Sequence, residues 1–454
     1  MTIQQLRQKN IALLGFGIEN RAVANYFDQH QISYTIFDSN PNICEQNCNL
    51  MLRSHVGPNY LEALHDFELI FRTPGFPPTH QAIQKAKKNG ALVTSQTQMF
   101  FNLCPSKLIG ITGTKGKGTT TKILECLLRE TSDKRVFVGG NIGIPPISFI
   151  DQLKKNDHVI LELSSFQLQD LHSSPHIAIL LAIGVDHLDF HANRNEYVEA
   201  KANIVRNQTD KDFLIVNDDC KTAKKIAKKS KAQILRFSLE KQIEGIGVWL
   251  EKNNVFVRGE NNIIEKICTI DTLKLKGRHN WHNACAAIAS SLVLNCAPTT
   301  LSKAISSFPV LPHRLEYIDT DSKFNYYNDS LATTPDATIA AINAFEGPVI
   351  LIAGGASKGG DFLSLGRTCV KRSLRAAILI GEEADKINKA LEYNGYGGPI
   401  LHAGTNFDQA VKMAQLHAQS GDTILLSPAC ASFDMFDSYV ERGEIFKDLC
   451  KQDT

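Results

Sequence analysis

The chain has 454 residues, with 49 Lys+Arg against 47 Asp+Glu and a formal net charge of +2. At roughly 150 residues per domain, this length implies about three domains rather than one continuous core. A hydrophobic fraction of 43% and a charged fraction of 21% exclude wholesale disorder, and the balanced charge argues against a protein built to hold nucleic acid, which needs a basic surplus. No apolar stretch approaches the ~20 residues needed to span a bilayer. The opening residues MTIQQLRQKN lack the apolar centre of a signal peptide. The 11 cysteines are scattered without CxxC pairs or metal-type spacing, which reads as reduced thiols in a cytoplasmic protein.

The first segment opens with a strand at residues 11–14, the turn Gly15-Phe16-Gly17 and a helix-like run to Phe27. A second strand at 34–37 ends at Asp38-Ser39, and a third at 69–71 ends at Thr73-Pro74-Gly75. This pattern looks like half of a dinucleotide-binding unit, with backbone amides for a phosphate and an acid for a ribose. The third glycine of that pattern is replaced by Asn20, so a plain tight turn is the competing reading.

The second segment begins near Ser95. A strand at 108–111 leads into Thr112-Gly113-Thr114-Lys115-Gly116-Lys117-Gly118-Thr119-Thr120, followed by a helix at 122–128. Glycines let the backbone fold around an anion, helix-start amides point at it, and a lysine neutralises its charge. The strict phosphate-loop pattern fails, because Gly118 follows Lys117 and Ile111 holds the first glycine position. The cradle still works physically, with Thr119 or Thr120 as the nearest hydroxyl for Mg²⁺. A lysine-rich surface loop is its bland alternative.

Further strands are expected at 136–138, 159–163, 177–183 and 213–216, with a β-hairpin insert at 249–272 and a helix at 280–294. Glu162, at a strand end, suits a Mg²⁺ ligand but also a helix cap. Asp186-His187-Leu188-Asp189 follows another apolar strand, and Lys201 lies on a helix expected at 196–205, where solvent is the default destination. A linker at 308–312 leads to strands at 349–353, 376–380 and 423–426, a third α/β segment.

Taken in order, these pieces resemble the Mur ligase family over essentially the whole chain. The resemblance rests on Gly113 to Thr119, Asn141-Ile142-Gly143, Glu162-Leu163-Ser164-Ser165-Phe166-Gln167-Leu168, Asp186 to Asp189, and Tyr197 to Lys201. It continues through Gly277-Arg278-His279-Asn280-Trp281-His282-Asn283, His313-Arg314, Asn328 to Thr333, Ser427 to Asp434 and Tyr439 to Gly443. It implies an α/β protein of three-domain Mur ligase architecture: a Rossmann-like N-terminal domain (1–95), a central P-loop-type parallel-sheet ATPase domain (96–309) and a C-terminal Rossmann-like domain (310–454). It also implies a monomer acting on small molecules, with ATP and two Mg²⁺ ions. The expected reaction adds D-glutamate to UDP-N-acetylmuramoyl-L-alanine through an acyl phosphate, in peptidoglycan precursor synthesis.

The resemblance further implies residue roles. Gly113, Thr114, Lys115, Gly116, Lys117, Gly118, Thr119, Asn280, Asn283, Arg314 and Asp329 would contact ATP. Gly15, Gly17, Asp38, Ser39, Gly75, Asn141 and His187 would contact the UDP-sugar, and Thr333, Lys358, Ser432 and Tyr439 the incoming glutamate. Thr119, Glu162, His187 and a carbamylated Lys201 would hold metal, and Lys117, Glu162, His187 and Lys201 would carry catalysis. Three positions depart from the family pattern: Gly118 for Ser or Thr, Lys115 for Asn, and Leu331 for Lys. A same-class ligase for L-glutamate or another acidic amino acid, a ligase that binds without turnover, and a nicotinamide oxidoreductase built on the first segment stay open as alternatives.

Overall fold

The computed structural model describes residues 2–43, 53–184, 190–259, 262–273, 276–308 and 311–452. It contains two compact units, residues 1–272 with 282–307 and residues 273–281 with 308–454.

The first unit carries two sheets. In the smaller one, β1 (Ile11–Leu14), β2 (Thr35–Asp38), β3 (Ser54–Val56), β4 (Leu69–Arg72) and β5 (Leu92–Thr94) lie in the order β3-β2-β1-β4-β5, all parallel. The order reverses between β1 and β4, and their carboxyl ends form the crevice where such sheets bind ligands. β1 and β4 are buried along their whole length, which is why β1 and the first three residues of β4 read as apolar runs, and β4 ends in the buried Arg72. The sequence reading lacked β3 and β5. Both are short and neither is fully buried, so neither shows a continuous apolar signal.

The larger sheet holds β6 (Leu108–Thr112), β7 (Val136–Gly140), β8 (His158–Glu162), β9 (Ile177–Leu180), β10 (Phe213–Asn217), β11 (Gln233–Ser238), β12 (Gly247–Glu251), β13 (Asn254–Arg258) and β14 (Ile264–Thr269). Their order is β14-β13-β12-β11-β10-β9-β6-β8-β7. Strands β6 to β12 pair in parallel, while β13 and β14 run antiparallel, so the expected hairpin is a three-stranded extension. β9 stops at Leu180, short of the expected strand end, because the next groups bond to the phosphate loop. Leu181 donates its amide to Thr112 O at 2.9 Å, and Ala182 O accepts the Thr114 amide at 2.9 Å.

One apolar core runs through both sheets of this unit. Val23 and Phe27 of the helix Ile18–Gln29 share it with Phe100 of the helix Gln96–Leu103 and Phe149 of the 3₁₀ turn Pro146–Gln152.

In the second unit, β15 (Glu316–Ile318), β16 (Asn325–Asn328), β17 (Val349–Gly354), β18 (Ala376–Ile380), β19 (Ile400–Gly404) and β20 (Thr423–Leu426) lie in the order β15-β16-β20-β17-β18-β19. Only the β15–β16 pair is antiparallel. Leu351 and Leu379 belong to one apolar cluster, and Ile350 and Ile378 to another, as alternation along buried strands requires.

Candidate active site

The phosphate loop is built by its neighbours. β6 ends at Thr112, whose hydroxyl donates to Leu163 O at 2.8 Å, and the helix Lys117–Thr131 starts after Gly116. Gly116 sits at φ +88°, and a Cβ there would lie 2.2 Å from Asn283 Oδ1. Only glycine satisfies both the left-handed backbone and that approach. Gly116 offers no capping side chain, so the first-turn amides of the helix face the loop mouth. Lys117 Nζ donates to Gly113 O and Thr114 O, each at 3.1 Å, which holds its charge inside the loop. The Thr114 hydroxyl lies 2.9 Å from Tyr197 OH and accepts the Gly184 amide at 2.9 Å.

Glu162 closes β8 beside this loop. Its side chain is nearly buried, Oε1 accepts from Asn141 Nδ2 at 2.9 Å, and Oε2 would be 3.1 Å from a Cβ at Gly118. Glu162, Asn141 and Gly118, expected to serve metal, precursor and ATP respectively, are therefore neighbours. Serine at Gly118 would place a hydroxyl next to this carboxylate at the cost of a small shift of a side-chain end. We expect Gly118→Ser to lower the Mg²⁺ concentration giving half-maximal turnover by about threefold, since one more hard oxygen joins the set. A Mg²⁺ titration of both proteins checks this, and an unchanged or raised midpoint contradicts it.

Lys201 lies on the helix Arg194–Arg206 and is only 2% exposed, so the solvent reading fails. Its Nζ donates to Gly113 O at 3.0 Å and stands 4.7 Å from the Tyr197 ring centroid. His187 and its neighbours Asp186 and Asp189 lie outside the described residues.

At the first sheet, Gly15 has φ +78°, and a Cβ there would meet Thr73 Cγ2 at 2.4 Å. Asp38 accepts amides from Phe16 at 2.7 Å and Asn40 at 2.9 Å. It therefore braces the turn, while Ser39 is exposed and Gly75 has open space. Asn20 explains the missing third glycine. It is fully buried and donates to Leu14 O, Gly15 O and Phe71 O at 3.1, 2.8 and 3.0 Å, tying the ends of β1 and β4 together. Gln167, which forms a capping box with Ser164, donates to Glu19 Oε1 at 2.7 Å, in the first turn of the helix after β1. Sequence reasoning missed both residues. Asn20 lies between Glu19 and Arg21 and reads as surface, and Gln167 is a lone polar residue between Phe166 and Leu168, so the role of each emerges only once the strands are paired.

In the second unit, Asp329 is buried after β16. It accepts from Ser427 Oγ at 2.8 Å and from the Leu315 amide at 3.2 Å. Burial pushes its carboxyl up from 3.8 to about 7, against the lowering effects of Ser427 and Arg314. A group raised this way contributes stability below the unfolded value and loses it as pH climbs through the folded one. We therefore expect the melting temperature of Asp329→Asn relative to the wild type to rise between about pH 4 and pH 7, as the wild type loses this contribution. An equal slope in the variant contradicts the expectation. Lys358 Nζ donates to Thr333 Oγ1 at 3.3 Å, which brings two of the expected glutamate contacts together. Ser432 is 2% exposed, whereas Tyr439, first in the helix Tyr439–Lys451, is 38% exposed. Asn280 is buried and donates to Lys276 O at 2.8 Å.

The sequence matches the family models Mur ligase MurD-like, N-terminal domain over residues 9–95, Mur ligase middle domain over 111–291, and Mur ligase, glutamate ligase domain over 313–430. Among curated proteins it is 35% identical to a UDP-N-acetylmuramoylalanine--D-glutamate ligase of Clostridium tetani, covering 98% of this chain and 96% of that one. It is 36% identical to the protein of the same name from Acetivibrio thermocellus, covering 98% and 97%. Its fold resembles MurF of Acinetobacter baumannii with a TM-score of 0.62 at 18% identity, covering 98% and 97%. A MurF ligase of Thermotoga maritima in complex with ADP gives 0.60 at 16% identity, covering 100% and 97%. Phosphate loop, buried Glu162 and Lys201, and identity over nearly the full length agree: the chain belongs to the Mur ligase family.

Proposed function

We propose that the chain is an ATP-dependent, ADP-forming ligase that adds D-glutamate to UDP-N-acetylmuramoyl-L-alanine in peptidoglycan precursor synthesis. The observation that carries this reading is the glycine loop holding Lys117 beside Glu162 and Lys201, in a chain over a third identical to proteins of that name. Residues 1–95 serve the precursor, 96–309 serve ATP and 310–454 serve the amino acid. The enzyme acts as a monomer in the cytoplasm, and among the described residues no helix is long and apolar enough to cross a membrane.

Magnesium fits the donor set. Glu162 supplies a hard, nearly buried carboxylate next to Gly118 of the loop. That composition suits an ion that keeps waters and takes few carboxylates plus phosphate oxygens. Bound Mg²⁺ would neutralise charge on the β- and γ-phosphates. Glu162 and Thr119 would hold one ion, and His187 with a Lys201 carbamate a second. Carbamylation turns an amine, a poor Mg²⁺ partner, into a pair of hard oxygens.

The precursor carboxylate attacks the γ-phosphorus and ADP leaves. The glutamate amine then attacks the acyl carbon, phosphate departs and the amide remains. Lys117 and the helix-start amides hold the charge shared by the attacking and leaving oxygens. Asn280, Asn283, Arg314 and Asp329 hold the nucleotide. Gly15, Gly17, Asp38, Ser39, Gly75, Asn141 and His187 orient the precursor. Lys358 pairs with a glutamate carboxylate while Thr333, Ser432 and Tyr439 shape its site.

The test supplies ATP, Mg²⁺ and UDP-N-acetylmuramoyl-L-alanine with D-glutamate, L-glutamate or neither, and measures phosphate and peptide. D-glutamate is expected to give both products in equal amounts. Turnover with L-glutamate alone, or with neither enantiomer, overturns the reading.

A further inference from the structure

A buried cation joins the two sheets of the first unit. Arg72 is the last residue of β4, and its guanidinium is buried. Its Nε donates to Asp170 Oδ2 at 2.6 Å, and Nη2 pairs with the same carboxylate. Nη1 donates to the carbonyls of Thr73 at 3.2 Å, Pro74 at 3.0 Å and Phe76. Those carbonyls belong to the turn that carries Gly75. Asp170 caps the helix Ser165–Gln169, which begins shortly after Glu162 and the core residue Leu163, whose carbonyl accepts from the Thr112 hydroxyl. The Gln167–Glu19 hydrogen bond runs alongside, from the same helix to the first turn after Gly15-Phe16-Gly17. Burial raises the Glu19 pKa, while the Gln167 hydrogen bond and then the Arg72 charge lower it.

We propose that Arg72 is a positioning residue: by gripping the Thr73–Phe76 turn and Asp170 at once, it sets the precursor loop of the small sheet in register with the Glu162 segment of the large one. The proposal rests on the ligase reading above. Removing one partner of a buried pair leaves the other charge uncompensated. Lysine restores a charge at one point but cannot reproduce a fork that serves a carboxylate and three carbonyls. A role confined to stability would lower the melting temperature and leave the kinetic constants of the folded enzyme unchanged. A positioning role degrades the step in which precursor and ATP must meet, and spares nucleotide binding.

The experiment compares wild type, Arg72→Gln, Arg72→Lys, Asp170→Asn and the Arg72→Gln/Asp170→Asn double variant. It measures steady-state turnover with UDP-N-acetylmuramoyl-L-alanine, D-glutamate and MgATP, and MgATP affinity by calorimetry. Each of Arg72→Gln and Asp170→Asn is expected to lower kcat/KM for the precursor by about 10- to 100-fold. MgATP affinity should stay within about twofold, Arg72→Lys should recover part of the loss, and the double variant should lose no more than the worse single one. Unchanged kcat/KM in folded Arg72→Gln, losses that multiply in the double variant, or a parallel fall in MgATP affinity overturns the proposal. If Arg72→Gln fails to fold, Asp170→Asn carries the comparison alone. Absence of turnover in the wild type would sink the ligase reading instead. Calorimetry with the precursor alone would then decide the role of Arg72: weaker binding in the variant supports it and equal binding ends it.

Discussion

Lys117→Ala is expected to lower kcat by at least about 10²- to 10³-fold, the usual loss when one preorganised donor to a developing charge is removed. The geometry makes the effect local. Lys117 Nζ is held by the carbonyls of Gly113 and Thr114, so its amine occupies the loop that the helix-start amides surround. Those bonds tie down a side chain at the helix start and contribute little to the core, so the variant should melt near the wild type. Arginine should not rescue it. Its planar fork is too wide for a site in which a compact ammonium sits 3.1 Å from each of two carbonyls. A Lys117→Ala variant that keeps more than about a tenth of wild-type kcat contradicts the assigned role.

Lys201→Ala is expected to cost about a thousandfold, the kinetic equivalent of several kcal/mol of charge stabilisation. Lys201 is buried against the loop, with Nζ 3.0 Å from Gly113 O and near the Tyr197 ring. Burying a long cationic side chain next to a phosphate loop has a cost that solvent exposure would avoid, which points to a use for its terminal group. If that use is a carbamate, a short carboxylate such as formate or acetate added to Lys201→Ala should restore part of the activity by filling the space with hard oxygens. Lys201→Arg should stay inactive, because a guanidinium cannot be carbamylated in the same way. Rescue by neutral amides as well as carboxylates would point to simple space filling, and an unimpaired alanine variant would remove Lys201 from the mechanism.

The parts legible in the sequence are those where one local signal suffices. β18 (Ala376–Ile380) and β20 (Thr423–Leu426) match the expected strands residue for residue, because both are fully buried and bounded by turns. The phosphate loop was readable because its glycines, lysines and following helix are contiguous. β16 (Asn325–Asn328) was not, since it begins and ends in asparagine and only its Tyr-Tyr centre is apolar. The burial of Lys201 and the role of Asn20 were invisible for another reason. Each is a polar side chain whose burial depends on a partner distant in the chain, Gly113 for Lys201 and Phe71 for Asn20. The same holds for Arg72 and Asp170, which lie 98 positions apart and look like ordinary surface charges until β4 and the helix Ser165–Gln169 are brought together.

The central claim is that ATP activates the precursor carboxyl as an acyl phosphate, which the glutamate amine then attacks. It is tested most directly by following oxygen. UDP-N-acetylmuramoyl-L-alanine labelled with ¹⁸O in its carboxylate is turned over with ATP, Mg²⁺ and D-glutamate, and the released phosphate is analysed by mass. Attack of that carboxylate on the γ-phosphorus, followed by loss of phosphate, must carry one labelled oxygen into each phosphate. Phosphate released without label while the amide forms would contradict the account.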